Sequence, residues 1–507
     1  MSALKIKKSP LIPMRSIIWL MLFTCTLVLY VLRTNMSLIL IAMVNTTPSN
    51  ATAAAVPECA VLNKDNSSIS DNETSISTER RIGRKYSVTY GWDSRLQGLI
   101  LGAYFWGFVL SNIPGAAVAE RFGPRKSVAV SFALSALLTL LGPLCASWHP
   151  YWLIASRFLI GLFGGIVYPA VHCLISRWAP PAEKGKFISA TLGGSLGTVV
   201  TWPLLGNVIE HVGWEWGFYI SGILVLVWTF FWIVAVYDCP EKHPWIGSCE
   251  KDYIVNGLSG TLSSKKSIPP YKSILTSLPV WALGVAQFGN LWGLFFLMTA
   301  GPKFMSTVLG FDLGNTGFLA AVPYLARMLA GFVFGIIGDS IIRRGSISKS
   351  AIRKSFTVFS HIVPGLLLVG QTFVGCQATW VISLIALSLA SNGASTITNL
   401  SNAQDLAPNF AGSLYGIVNC LGSTTGFLSP MLVGYLTADH NGMEEWHTIF
   451  YIGAIVYVFC GLFFAIFGSG EIQHWNRCEG DEDCPDVKPV RHGIDNRGFD
   501  GTTEDKV

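Results

Sequence analysis

The segment GAAVAERFGPRK, residues 115–126, ends an apolar run with one acidic residue followed by basic residues. A second apolar run ends in the same manner, in GFVFGIIGDSIIRR at residues 331–344. Such an acidic-then-basic ending at a helix boundary is specific enough that its recurrence indicates two related halves in one chain.

The apolar runs themselves predict the environment of the chain. Of 507 residues, 51% are hydrophobic and only 13% are charged, whereas soluble domains contain about 25% charged residues. Apolar runs of ~20 residues are long enough to cross the ~30 Å hydrocarbon core of a bilayer as helices. The sequence predicts an all-α membrane protein with twelve transmembrane helices, here called spans. Their predicted cores are residues 17–44, 97–119, 127–146, 151–175, 187–209, 218–236, 280–300, 316–337, 356–375, 381–403, 411–437 and 448–468.

A polar, lysine-bearing stretch separates the sixth span from the seventh and divides the helices equally. Parallel repeats of this kind form two bundles that bind a solute between them near the middle of the membrane. The predicted organisation is an N-terminal tail 1–15, a six-helix bundle 16–238 with a large loop 45–90, a linker 239–275, a second six-helix bundle 276–470 and an acidic tail 471–507.

Basic residues predict the orientation, because loops rich in lysine and arginine stay on the cytosolic side. The loops between spans 2 and 3, 4 and 5, and 8 and 9 are basic, whereas the short loops of the opposite side contain only Lys303. We expect a multi-pass protein of the plasma membrane or of a lysosomal or vesicular membrane, with both termini cytosolic. Cys59 and Cys376 both fall on the outer side and could pair. Glycosylation is expected in the large outer loop at Asn45, Asn50, Asn66 and Asn72, each of which begins an acceptor motif.

The two repeated boundaries also predict a conformational latch. Glu120 can pair with Arg121 in the first half, and Asp339 with Arg343 in the second. A solvated carboxylate that caps the helix end is the alternative, but recurrence in both halves favours a latch.

Three arginines lie deep within predicted spans: Arg33 in span 1, Arg157 in span 4 and Arg327 in span 8. A charge in the hydrocarbon region costs ~2.5–3.5 kcal/mol on insertion scales. No aspartate or glutamate lies at comparable depth, because all fall in loops, tails or helix ends. We therefore expect a small anionic substrate to supply the negative charge. The alternative is that each guanidinium snorkels or donates to backbone carbonyls as a structural clamp.

Helical spacing predicts the neighbours of these arginines, since residues three, four and seven apart share a face. Tyr30 and Ser37 lie on the face of Arg33, and Tyr168 and His172 on that of Arg157, while Asn290 adds an amide in span 7. His172 is interpreted as the only histidine deep in a span, able either to couple protons or to sit as a neutral hydrogen-bonded group. A polar stripe in span 10 would extend a shared hydrophilic cavity; it comprises Ser388, Ser391, Ser395, Asn399 and Asn402.

Enzymatic and nucleic-acid functions have no support. The net charge of +5 is modest, and the basic residues sit at helix ends. The pattern G-x-S-x-G at residues 193–197 lies inside an apolar run, not in the strand-turn-helix that a nucleophile elbow requires. No metal-ligand cluster is present in the sequence. We expect no cofactor beyond a coupling ion, Na+ or H+, and a monomer in the bilayer.

Several motifs resemble one group of the major facilitator superfamily. They cover roughly residues 16–475 and comprise Tyr30-x-x-Arg33-x-Asn35-x-Ser37, Tyr104-Phe-Trp-Gly107, Ile113-Pro-Gly115, Tyr168-Pro-Ala-x-His172, Trp178-Ala-Pro-Pro181, Asp238-x-Pro240, Glu250-Lys-x-Tyr253, Gln404-Asp-Leu-Ala-Pro408 and Ser469-Gly-Glu471. The group is the anion:cation symporters, which include sodium/phosphate cotransporters, the lysosomal sialic acid transporter and vesicular glutamate transporters. Within this group, the sequence resembles the arthropod branch of inorganic phosphate cotransporters. The resemblance implies that Arg33 and Arg157 contact the substrate.

The sequence departs from this group at positions that bear on coupling and specificity. Ile160 and Gly164 stand where the sialic acid and glutamate members carry acidic residues after the span 4 arginine, which argues against proton coupling there. Leu101 and Asn290 stand where vesicular glutamate members carry a histidine and an arginine, which disfavours glutamate. The sequence thus predicts a secondary transporter of inorganic phosphate or an organic anion, working by alternating access as a cation-coupled symporter. A passive anion uniporter or channel, and a non-transporting anion sensor on the same fold, are the alternatives.

Overall fold

The computed structural model describes residues 13–44, 59, 89–180, 183, 186–187, 189–258, 270–407 and 410–476. Within these ranges the chain is helical, with one isolated bridge between Val44 and Tyr90 and no β-strand. Eleven helices are long and apolar enough to cross a membrane, and a bent pair makes a twelfth span. The predicted all-α class with twelve spans is confirmed. The spans are Met14–Met43, Ser94–Phe122, Pro124–Leu140 with Gly142–Trp148, Pro150–Trp178, Gly193–Val212, Trp214–Ala235, Leu278–Thr307, Leu313–Arg344, Lys349–Thr357 with Val358–Ile362 and Val363–Gln371, Ala378–Asn392 with Gly393–Thr396 and Asn399–Leu406, Ala411–Ser423 with Thr425–Leu436, and Met443–Phe467.

The two halves repeat a capping device that composition does not reveal. Asp93 caps span 2 by accepting a hydrogen bond from Leu96 N at 3.1 Å. Asp312 caps span 8, the equivalent helix of the second half, by accepting from Asn315 N at 2.7 Å. A carboxylate at this position satisfies an amide that the helix leaves unpaired and interacts favourably with the helix dipole. The shared cap supports the internal repeat.

Several spans bend where their sequence interrupts the helical ladder. Span 3 turns by 47° between its two segments, where Gly142 and Pro143 begin the second. Span 9 contains a π-helical turn at Val358–Ile362, directly before Pro364. Proline has no N–H to donate, so the preceding turn must satisfy its carbonyls in another way. Span 10 passes through a 3-10 turn at Gly393–Thr396.

One face of the molecule is closed by glycine contacts between the halves. We call this the outer face, after the predicted orientation. A Cβ added at Gly98 in span 2 would lie 2.6 Å from Pro430 O in span 11, and one at Gly206 in span 5 would lie 2.8 Å from Leu313 O in span 8. Only glycine permits backbones to approach this closely. The two crossings therefore hold the halves together at the outer face.

The opposite face carries the linker. Its helix, Ser248–Leu258, presents Glu250 to the start of span 1. The two carboxylate oxygens accept hydrogen bonds from Met14 N and Arg15 N, both at 2.9 Å. The Glu250 carboxylate thereby caps the N-terminus of span 1 and attaches the linker helix to the first half.

Candidate functional site

Arg33 lies in a cage of aromatic rings. Its guanidinium carbon is 4.5 to 5.5 Å from five ring centroids, and the side chain is 5% exposed. Such stacking stabilises a cation by cation–π attraction, more strongly where water is excluded. The rings are those of Phe108, Tyr30, Tyr104, Phe295 and Phe105. Phe295 belongs to span 7, so the cage includes both halves of the molecule.

The edge of the Arg33 guanidinium is not saturated. Nε and Nη2 are buried and make no hydrogen bond to any residue that the structure describes. These two nitrogens form one side of the guanidinium fork, with parallel N–H groups that suit the two oxygens of a carboxylate or phosphate. Arg33 therefore combines fixed rings on its faces with a free pair of donors on its edge.

Arg157, unlike Arg33, uses its guanidinium to donate hydrogen bonds within the protein. It is 2% exposed and donates to the backbone of span 1, through Nη1 to Leu32 O at 3.0 Å and through Nη2 to Arg33 O at 3.3 Å. Nη1 also reaches Asn35 Oδ1 at 3.3 Å. The ring of Tyr104 lies 5.4 Å from its guanidinium carbon. Arg157 thus fixes the segment of span 1 that carries Arg33, while its Nε has no partner among the described residues.

Arg327 joins the two halves. Its Nε donates to Asn392 Oδ1 at 3.0 Å in span 10, and its Nη1 reaches Ser195 Oγ at 3.4 Å in span 5. Asn392 in turn donates to Ser360 O at 3.2 Å. The guanidinium is only partly buried. It therefore sits at the boundary between the halves, within a network of neutral groups.

The remaining predicted residues are distributed around these arginines. Tyr30 stacks on Arg33, while Ser37 donates across the halves to Met298 O at 2.9 Å. Tyr168 meets the Phe108 ring edge-on at 6.5 Å, which places it behind the cage. The ring of His172 lies 5.7 Å from the ring of Tyr415 in span 11. Asn290 is buried and its Oδ1 has no partner.

A second histidine lies deep in a span, so the prediction that His172 is alone in this respect is wrong. His361 is fully buried in the π-helical turn of span 9. Its Nε2 is 2.8 Å from Ala286 O and its Nδ1 is 2.7 Å from Ser360 Oγ. A carbonyl can only accept, so Nε2 carries the proton and Nδ1 can accept from the serine. Ser360 precedes His361 directly in the sequence, but the second partner is a backbone carbonyl of a distant span, which residue type does not reveal.

Amides and hydroxyls of span 10 extend the second-half network. Asn399 donates to Gln287 Oε1 at 3.3 Å, and Gln287 donates to Asn419 Oδ1 at 3.4 Å. Ser388 instead donates to Pro364 O at 3.3 Å, within the second half. Ser395 and Asn402 are buried with side-chain atoms that have no partner. The predicted polar stripe thus lies mainly inside the bundle.

No carboxylate neutralises the three arginines within the described residues. The ion pairs found there are Arg15 with Glu183 at 3.3 Å and Arg353 with Asp405 at 2.8 Å. In the same ranges no group of His, Cys, Asp and Glu side chains could hold a metal ion. Arg353 is itself buried, in the first helical segment of span 9, where the basic residues between spans 8 and 9 had predicted a loop.

Comparison with known proteins identifies the architecture. A profile described as Major Facilitator Superfamily matches residues 22–430. The chain is 37% identical to sialin of Ovis aries over 449 residues, covering 88% of each protein. It is 33% identical over 480 residues to a Drosophila melanogaster protein named "Putative inorganic phosphate cotransporter", covering 93% of this chain and 88% of the relative.

The chain belongs to the major facilitator superfamily. It is therefore a multi-pass membrane transporter and not an enzyme. Its fold is similar to the crystal structure of a bacterial homologue of the human lysosomal transporter Spinster, in an inward-facing and occupied conformation. The TM-score is 0.60 at 14% identity, with 90% of this chain and 97% of the other covered. This likeness concerns the fold alone.

The predicted latch of this transporter remains a prediction. The side chains of Glu120, Asp339 and Arg343 lie outside the described part of the structure. Arg121 is exposed, with its guanidinium carbon 5.8 Å from the Phe122 ring.

The outer loops of the transporter are joined by a disulfide bond between Cys59 and Cys376. The backbone N–H of Cys59 also donates to Val308 O at 3.3 Å, in the turn after span 7. The predicted glycosylation sites Asn45, Asn50, Asn66 and Asn72 lie outside the described residues. Their occupancy stays a prediction.

Proposed function

We propose that this transporter moves a small anion, inorganic phosphate or an organic anion, by alternating access coupled to a cation. The observation that carries the proposal is the unsaturated edge of Arg33. A buried guanidinium without a carboxylate is costly unless a negative group binds it. Nε and Nη2 offer that group two parallel donors in a site from which water is excluded.

The position of Arg33 links anion binding to movement of the halves. Phe295 of the second half completes a cage whose other rings belong to the first half. An anion bound to Arg33 would therefore lie beside the interface between halves. Arg327 bridges the same interface through its hydrogen bond to Ser195. Movement of the halves would break this bond and leave the Arg327 guanidinium able to contact the substrate. The glycine crossings close the outer face in this conformation, and alternating access requires them to part.

Several findings support the choice of an anion over a neutral solute. The relative from Drosophila melanogaster carries a phosphate cotransporter name. The sequence motifs resemble those of anion:cation symporters. Tyr30, whose ring stacks on Arg33, also has a hydroxyl group that can donate to a further anion oxygen.

The coupling cation is proposed to be Na+ or H+. Carbonyl and hydroxyl oxygens suffice to hold Na+, and these are present in both halves. We further propose that the termini are cytosolic and that the protein resides in the plasma membrane or in a lysosomal or vesicular membrane. A monomer suffices for the transport cycle, since both halves belong to one chain.

Uptake into proteoliposomes tests the proposal. We expect the purified transporter to accumulate at least one anion of a panel containing phosphate, a monocarboxylate, an acidic sugar and an acidic amino acid, under an imposed Na+ or H+ gradient. Protein-free liposomes are the control. Flux that follows only the gradient of the anion itself would establish a uniporter, and binding without flux would establish a sensor. The absence of both flux and binding for every anion would refute the proposal.

A further inference from the structure

Lys303 is the residue on which this inference rests. The sequence had indicated that it lies in a short outer loop, but it lies within the helix of span 7, one turn before Thr307. Its Nζ donates to Ser94 Oγ at 3.2 Å and to Thr437 Oγ1 at 3.0 Å. Ser94 begins span 2 of the first half, and Thr437 follows span 11 of the second. One ammonium group thus connects the halves at the closed outer face.

The charge of Lys303 is compensated only by neutral groups. No ion pair joins it to a carboxylate within the ranges that the structure describes, and both of its hydrogen-bond partners are hydroxyls. An ammonium group has three N–H donors, and two of them are used here. Hydroxyl dipoles stabilise a partly buried cation less well than an anion does.

A small cavity adjoins the Lys303 side chain. It has a volume of about 30 Å³ and is lined by groups from both halves, including Ser37, Gln97 and Thr299. The cavity is large enough for one or two water molecules. It also contacts Gly98, whose crossing with Pro430 closes this face. When that crossing parts, Ser94 must move away from Lys303, and the cavity must widen around an ammonium group that has lost a partner.

We propose that Lys303 is an anion-binding site of the outer face, distinct from Arg33. As the face opens, the ammonium releases Ser94 and binds an anionic group; as the face closes, it returns to the two hydroxyls. The proposal rests on the proposed anion transport for its biological role. The ligand chemistry is a carboxylate, a phosphate or a free inorganic anion, supplied either by the substrate or by the medium.

Side-specific transport kinetics test this site. Oriented proteoliposomes containing wild-type protein, Lys303→Met, Lys303→Arg or Ser94→Ala are assayed for KM at the outer and inner faces, in chloride medium and in gluconate medium. Loss of one charge-assisted bond predicts that Lys303→Met raises the outer-face KM about 10-fold. Its inner-face KM should change by less than about 3-fold, and Lys303→Arg should stay within about 3-fold of wild type at both faces. Ser94→Ala removes the first-half hydroxyl that competes with the anion for the ammonium, so its outer-face KM should not rise above that of wild type.

The outcomes distinguish the two ligand sources. A raised outer-face KM in Lys303→Met in both media indicates that the substrate binds the site. An outer-chloride dependence that Lys303→Met abolishes, with the KM in gluconate unchanged, indicates a free inorganic anion. A wild-type outer-face KM together with a wild-type chloride response in Lys303→Met would overturn the site.

A flux-independent measurement separates this inference from the proposed function. If wild-type protein transports no anion of the panel, the proposed function fails, and thermal unfolding in detergent then decides the role of Lys303. Titration with inorganic phosphate or chloride should raise the Tm of wild-type protein more than that of Lys303→Met. Equal shifts in the two proteins would overturn the site.

Discussion

Buried polar groups are stabilised differently in the two halves of the molecule. The contrast is between Arg33 in the first half and Arg327 with His361 in the second. Around Arg33 there are rings and two unpartnered donors. Around Arg327 and His361, amides, hydroxyls and carbonyls bond to one another across spans 7 to 11. Hydrogen bonds between these second-half groups stabilise one arrangement, whereas the Nε–Nη2 edge of Arg33 makes no hydrogen bond within the described residues. Under the proposed function, the first half would hold the charge of the substrate and the second half would act as the more rigid partner.

The largest effect should come from Arg33→Lys. Lysine keeps the charge but cannot present two parallel donors, so anion uptake should fall about 100-fold, equivalent to about 2.7 kcal/mol of binding. Because Nε and Nη2 of Arg33 have no protein partner, the Tm should stay near that of wild type. Uptake and thermal unfolding of the same preparations measure both quantities.

Arg327→Lys is the matched control in the second half. The lysine keeps the charge and can still donate to one of the two neutral partners, Asn392 or Ser195. Uptake should therefore fall by about 10-fold or less, equivalent to about 1.4 kcal/mol. If Arg33→Lys transports as well as Arg327→Lys, the contrast between the two regions is wrong.

His361→Leu should act on stability instead of on the substrate. The change removes the bonds of His361 to Ala286 O and to the Ser360 hydroxyl, at a cost of about 0.5–1.5 kcal/mol each. Asn399 Nδ2 still donates to Ala286 O at 3.2 Å. We expect a lower Tm and a KM for the anion within about 3-fold of wild type. His172→Leu is a suitable comparison, because His172 contacts the ring of Tyr415 and shares no hydrogen bond with His361 among the described residues. A KM that rises about 10-fold in His361→Leu without loss of Tm would place this histidine in the transport path.

Arg157→Lys should have an intermediate effect that shows in two measurements. A single ammonium can replace only part of the bonds to Leu32 O, Arg33 O and Asn35, so span 1 should be held less firmly. We expect uptake to fall by about 10-fold together with a lower Tm, since bonds to charged groups contribute about 1.5–3 kcal/mol each. Loss of uptake at unchanged Tm would instead assign Arg157 to direct contact with the anion.

The smallest effect should come from the cage itself. Phe108→Leu keeps the apolar surface but removes the ring nearest to the Arg33 guanidinium, at 4.5 Å. A cation–π contact contributes about 0.5–2 kcal/mol, so the KM should rise about 3-fold or somewhat more. Phe132→Leu, a buried ring that packs against Trp228, is the control and should leave the KM unchanged. An unchanged KM in Phe108→Leu would show that the rings only exclude water.

The sequence predicted the twelve spans and the burial of three arginines within them, because both depend on the residue types along a single helix. A transmembrane helix must be long enough to cross the bilayer, so apolar runs of that length can be found in the sequence. A charged residue within such a run is costly, and it can be located in the sequence in the same way. The cage around Arg33 was predicted only in part. Tyr30 shares the face of Arg33 in span 1, but Phe295 reaches it from the other half of the chain, which depends on tertiary packing.

The roles of individual polar residues were the hardest to predict. Arg33 and Arg157 both lie in apolar runs without a nearby acidic residue. Carbonyls of span 1 nevertheless accept hydrogen bonds from the terminal nitrogens of Arg157, whereas the Nε–Nη2 edge of Arg33 makes none within the described residues. The pairing of His361 was not predicted, because its partner Ala286 O is a backbone atom of a distant span. Backbone acceptors leave no trace in residue type, so such pairings cannot be read from the sequence.

The bond between Cys59 and Cys376 has a consequence for biosynthesis. The two residues are 317 positions apart, so the sulfurs can meet only after the ninth span has been threaded into the membrane. Such bonds form where thiols are exposed to oxidants, as in the lumen of the endoplasmic reticulum. Newly made chains therefore pass through a reduced, uncrosslinked stage, and the fraction that completes this bond offers a gel-based measure of how much of the population has matured.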